Sequence, residues 1–207
     1  MEKLGIAFAS LGLSPNFWTI LSFSTSVLAG VVYATAALAA TLLLVAPPPS
    51  ALSLLTNTTK FYWTYIFSIA GSIILLISGF FDIVDGSVAR ATKQSSKKGA
   101  FLDSSFDKIS ESIIFVGIAI GNLANPILCM IALSLSLLVS YVRARAESLG
   151  IELKGIGIGE RAERLLIIAI IGMIPVVGGM QWAIIVVSML AGITLIQRIT
   201  ITSKKLQ

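Results

Sequence analysis

Apolar residues run along this chain in long, nearly unbroken stretches, with polar positions gathered between them or at their ends. Six stretches are long enough to cross, or nearly cross, a hydrocarbon layer of roughly 30 Å. They cover residues 16–36, 62–84, 100–121, 125–146, 163–180 and 182–200. The pattern predicts an all-α, polytopic membrane protein: one domain spanning 1–207, with a six-span bundle over 15–207. Within 1–14, residues 3–11 read as a short amphipathic helix lying on the membrane surface. Gly12-Leu13-Ser14-Pro15-Asn16 breaks this stretch before a signal-peptide core forms. Ala37 to Ala46 extends the first span, Pro47-Pro48-Pro49 stops it, and Ser50 to Thr59 reads as a polar external loop. No internal repeat interrupts this plan.

Composition makes lipid the solvent for most of the chain. Of 207 residues, 56% are hydrophobic and 12% charged, and mean hydropathy is +0.95. An ordinary soluble domain is about one quarter charged. The single cysteine, Cys129, lies in an apolar run and excludes both an internal disulfide and a thiolate metal cluster. The chain has no histidine, so acid–base or metal chemistry falls to carboxylates.

Charge sets an expected orientation. With both termini and the loops near 85–100 and 143–164 on one side, that side holds 14 of the 15 basic residues, all but Lys60. The positive-inside rule makes it cytoplasmic. All ten acidic residues fall there too, which topology alone does not require, so chemistry is expected at that boundary of the cell membrane. The basic residues are read as topology and phosphate-binding groups, with no nucleic acid expected.

The candidate chemistry is concentrated in one segment. Asp82, Asp85 and Ala89 recur at helical spacing and share a face, as do Asp103 and Asp107. The linker 91–98 is short and polar, so the two helices are expected to be antiparallel neighbours with converging aspartates. Four carboxylates in one pocket repel strongly, and divalent cations resolve the conflict. Oxygen ligands alone point to Mg²⁺, with Mn²⁺ or Ca²⁺ as substitutes, and two ions would suit four carboxylates and a diphosphate. Gly86 and Ala89 leave room for a ligand, and Arg90 with the nearby lysines supplies positive charge. Blander readings exist for each part: Asp82 and Asp85 paired with Arg90, Asp103 stabilised at a helix N-terminus, Gly86 as a packing contact. Acidic residues at the edge of a membrane are nevertheless functional by default.

The order Asp82-x2-Asp85-Gly86-x2-Ala89-Arg90-x8-Gly99-x3-Asp103-x3-Asp107 resembles the signature of the CDP-alcohol phosphotransferases, with every fixed position present. The resemblance extends over nearly the whole chain. It implies that Asp82, Asp85 and Asp103 hold two Mg²⁺ ions with help from Asp107, and that Asp107 is the base for the acceptor hydroxyl. It implies a CDP-donor site of Asp82, Asp85, Gly86, Ala89, Arg90, Ser96 and Gly99. Pro15-Asn16-Phe17-Trp18-Thr19 resembles the family's Pro-Asn-x-x-Thr start of the first span, which adds Asn16, Phe17, Trp18 and Thr19. From the residues alone, the preferred reading of Asn16 is a helix cap. A homodimer is also implied.

The acceptor alcohol is read from the C-terminal half. Residues 140–147, 159–164 and 194–198 resemble the corresponding stretches of phosphatidylinositol phosphate synthases within that family. Arg143, Arg161, Arg164 and Arg198 stand at the same ends of three spans and suit an anionic acceptor such as inositol phosphate. The same arginines read alternatively as topology anchors paired with Glu147, Glu160 and Glu163. The implied reaction is transfer from a CDP-linked lipid (diacylglycerol or archaeol) with release of CMP, in phospholipid biosynthesis. A glycerol-phosphate acceptor, a soluble CDP-inositol donor and, in another class, a cation transporter remain as alternatives.

Overall fold

The computed structural model describes residues 2–42, 52–92, 96–153, 155–176 and 178–206. Within them the chain forms seven α-helices and no strand: α1 Glu2–Ala9, α2 Pro15–Leu42, α3 Leu52–Thr92, α4 Lys97–Ile120, α5 Pro126–Ser148, α6 Arg161–Gly172 and α7 Gly179–Lys205. Local sequence explains the boundaries. Pro15 opens α2 at the first helical position, where its missing N–H costs nothing. Asn16 therefore lies inside the first turn, and the reading of it as a cap is corrected. Ser96 caps α4, its hydroxyl accepting from Gly99 N at 3.0 Å. Asn125 caps α5 through Ile127 N at 2.9 Å. At the start of α6 the Glu163 carboxylate accepts from Glu160 N at 3.0 Å.

Two expectations are corrected. The segment read as an external loop is helical from Leu52 onward. It holds no Gly or Pro, so the helix nucleated by the apolar span propagates back through its Thr and Asn residues. Pro47-Pro48-Pro49 lies outside the described residues. The span expected over 163–180 ends at Gly172. Its 12 residues reach only about 18 Å. Pro175 follows, and the last carbonyls are taken up by α3: Tyr65 donates to Met173 O at 2.9 Å and Ser68 to Gly172 O at 2.8 Å. The ends of α3 and α4 converge, bringing carboxylates of Asp82, Asp85 and Asp103 within 4.8 Å of one another. α2 packs against both.

Four helices are long and apolar enough to cross a membrane: α2, Phe61–Thr92 of α3, α5 and α7. Ile20, Leu28, Val31, Leu38, Ile73 and Ile77 stand exposed along the first two, a surface suited to lipid and not to water. This is a membrane protein. Inside the bundle, polar ties replace the hydrophobic effect, which is weak between helices in lipid. Ser22 donates to Ser78 O at 3.0 Å, and Tyr33 Oη lies 3.0 Å from Ser72 Oγ. Gly117 of α4 sits directly against the Gly30 carbonyl of α2, where a Cβ would collide with backbone. α1 packs against α3, and its Phe8 ring meets Trp18 edge-on, with centroids 5.2 Å apart.

Candidate active site

Residues that open α2, α4 and α6 and residues that close α3, α5 and α7 line two cavities at one end of the bundle. Asp82 and Asp85 come from the end of α3, and Asp103 from the second turn of α4. One carboxylate oxygen from each lies within 4.8 Å of the others. Asp85 is 8% exposed, and its Oδ2 is buried with no hydrogen-bond partner among the described residues. Three carboxylates held this close repel one another, and an orphaned buried oxygen carries its full desolvation cost. An oxygen-only set without His or Cys suits a hard divalent cation.

The smaller cavity, about 160 Å³, opens beside this triad and is lined by Asn16, Thr19, Asp85, Gly86, Ala89, Ser96, Gly99 and Asp103 among others. Most of the residues expected at the CDP donor thus come together. At Gly86 a Cβ would meet only the Arg90 guanidinium, at 3.4 Å, so Arg90 lies over the Gly86 backbone. The structure does not bring Phe17 and Trp18 into the cavity, which corrects the expectation for both. The α2 helix turns Trp18 into an apolar cluster with Val84 and Val88, 5% exposed, and leaves Phe17 exposed against its edge. The Ser96 hydroxyl is engaged as the α4 cap.

The larger cavity, about 660 Å³, is lined by Asp82 and Asp107 together with all four candidate arginines. Asp107 stands apart from the carboxylate triad and pairs with Arg161, Oδ1 to Nη1 at 2.6 Å. The same Arg161 nitrogen lies 3.5 Å from Asp82 Oδ1. Arg164, 1% exposed, donates to Glu111 through Nη2 at 2.6 Å and Nε at 3.0 Å. Arg198, 3% exposed, donates to the backbone carbonyls of Ile156 and Val139 at 2.9 and 3.0 Å. Arg143 pairs with Glu147 at 2.9 Å on the exposed rim. Arg143 fits the alternative of a surface anchor, and Arg198 also lies 3.9 Å from Glu160; Arg161, Arg164 and Arg198 are buried or half-buried beside the cavity. Glu111 and Lys108, 3.6 Å apart, were not singled out from the sequence. Glu111 continues the Asp103, Asp107 stripe at the same four-residue interval, the one signal that marks it.

Fold and site together define a helical membrane protein whose acidic cluster, suited to a divalent cation, lies beside two cavities. A profile of the CDP-alcohol phosphatidyltransferase family matches residues 6–196. Over 207 residues the chain is 35% identical to the archaetidylinositol phosphate synthase of Pyrococcus horikoshii, covering 100% of this chain and 93% of that protein. It is 44% identical over 142 residues to the archaetidylinositol phosphate synthase of Methanothermobacter thermautotrophicus, covering 67% and 72%. Its fold is similar to that of Mycobacterium tuberculosis phosphatidylinositol phosphate synthase crystallised with CDP-DAG, with a TM-score of 0.73, 23% identity, and 97% and 92% coverage. The same enzyme was also crystallised with manganese and citrate; here the TM-score is 0.72, with 23% identity and 97% and 88% coverage. The chain belongs to the CDP-alcohol phosphatidyltransferase family, and its enzyme class is CDP-alcohol phosphotransferase.

Proposed function

We propose that this enzyme transfers the substituted phosphate of a CDP-linked lipid to a hydroxyl of inositol phosphate and releases CMP. The observation that carries the reading is the larger cavity, where Arg143, Arg161, Arg164 and Arg198 surround the same space as Asp107. An acceptor with its own phosphate suits that cationic wall, and an uncharged alcohol would leave it uncompensated. The names of the two archaeal relatives point the same way.

Asp82, Asp85 and Asp103, with Asp107 at the second position, are the residues that would hold two Mg²⁺ ions or Mn²⁺ in their place. Bound there, the cations would neutralise the diphosphate and the charge that develops on departing CMP. The open backbone at Gly86, together with Asn16, Thr19, Ala89, Gly99 and the overlying Arg90, receives the CDP portion. Arg161 fixes Asp107 through Oδ1, leaving Oδ2 to take the acceptor's proton. The acceptor oxygen attacks the lipid-bearing β-phosphorus, a new P–O bond forms, and the bond to the bridging oxygen of CMP breaks. Positioning and electrostatics supply most of the rate, as in other phosphoryl transfers.

The proposal extends to the setting. Six passes form one domain; α6 alone is too short for one, and the residues that follow it complete that pass, with Tyr65 and Ser68 satisfying the carbonyls where the helix ends. α1 lies at the membrane surface, site and termini face the cytoplasm, and two copies associate. Purified protein with CDP-lipid and Mg²⁺ should release CMP with inositol phosphate and not with inositol, serine or glycerol phosphate. Release with glycerol phosphate alone would replace the acceptor, and release from CDP-inositol alone would replace the donor.

A further inference from the structure

Two carboxylates of α4 face two guanidinium groups in the first turn of α6. Asp107 meets Arg161, and one turn further on Glu111 meets Arg164. Long side chains thus join the two helices beside the larger cavity. Cations at a helix N-terminus oppose its dipole, which makes the carboxylates across the gap necessary partners. The inner pair is fully withdrawn from solvent, with the Glu111 side chain 0% and the Arg164 side chain 1% exposed. A buried ion pair adds little stability over a well-packed apolar pair. Its presence therefore needs another reason, and the bonds of Arg164 supply one. Nε and Nη2 donate to Glu111, and Nη1 donates to Gly159 O, just before α6. Three of the five guanidinium N–H groups are thus fixed, leaving one on each terminal nitrogen beside the cavity that Arg164 lines.

We infer that Glu111 is a positioning residue for acceptor recognition. It aims the remaining Arg164 N–H groups at the acceptor's phosphate and holds the start of α6 at a set distance from Asp107. Lys108 lies 3.6 Å from the second Glu111 oxygen and adds a further positive charge beside it. Because α4 carries both Glu111 and Asp107, the phosphate is held in register with the base. This inference rests on the reading of the acceptor as a phosphorylated alcohol.

The test is steady-state CMP release by purified full-length protein with CDP-lipid and Mn²⁺, at varied inositol phosphate. Donor affinity is measured separately from the thermal stabilisation that CDP-lipid confers. Glu111→Gln should raise the acceptor KM about 10- to 100-fold, leave the donor affinity unchanged, and narrow the preference for inositol phosphate over inositol. Glu111→Asp, which keeps the charge, should recover part of the KM. Should Glu111→Gln fail to bind donor, Glu111→Asp decides on the same readout. An unchanged acceptor KM in a donor-binding variant overturns the inference, as does loss of donor binding in both variants, which would make Glu111 a fold residue. Wild-type protein inactive with inositol phosphate would overturn the acceptor reading instead.

Discussion

The cavity beside Asp85 is walled by backbone and small side chains at Gly86, Ala89 and Gly99, whereas the cavity beside Asp107 is walled by guanidinium groups tied to carboxylates and carbonyls. The first takes its shape from helix register. The second is bordered by paired side chains of α4 and α6 and by Arg198 of α7 bonded to a carbonyl of α5. A nucleotide diphosphate common to a whole family suits the first kind of wall. An acceptor that differs between members suits the second, since a few exchanged side chains remodel it without moving a helix.

This contrast is open to attack by substitution. The largest effect falls where the cavities share chemistry. Asp107→Asn should lower kcat by about 10³-fold in the CMP-release assay, while CDP-lipid and Mn²⁺ still bind; a rate near wild type would remove the base assignment. Asp85→Asn should weaken Mn²⁺ binding, followed by calorimetry, by about 100-fold, and turnover should fall with it. Gly86→Val places bulk on the donor side alone, so donor KM should rise about tenfold while acceptor KM stays constant. Equal changes in both would mean that the cavities are not separate. Arg143→Ala is expected to be mildest, raising acceptor KM only a few-fold, because its pair with Glu147 is solvent-exposed and worth about 1 kcal/mol or less.

The same difference decides what could be read from the chain itself. Asp82, Asp85, Asp103 and Asp107 lie within two helix segments, and helical spacing alone sets which of them share a face. Their convergence was legible for that reason. Phe17 and Trp18 sat inside a recognisable motif, but whether an aromatic ring points into a cavity or an apolar cluster depends on α1 and α3 packing against it. The arginines were found as cationic span ends, and the pairs of Arg143 with Glu147 and Arg198 with Glu160 were among the alternatives read there; the carbonyl partners of Arg198 were hidden, since Ile156 and Val139 bring only backbone to it. Glu111 was passed over as one more acid on a membrane-bound helix. The four-residue stripe through Asp103 and Asp107 carried the signal for it. The early end of α6 was masked by apolar residues that continue past Gly172 and give no sign of losing the helix before Pro175.

The central claim is that one acidic centre serves both cavities. Anomalous scattering from crystals grown with Mn²⁺ and a CDP-lipid tests it most directly. The account predicts two manganese peaks ligated by Asp82, Asp85 and Asp103, with Asp107 at the second and the diphosphate alongside Gly86. Manganese bound away from these aspartates, or a diphosphate seated among the arginines, would contradict it.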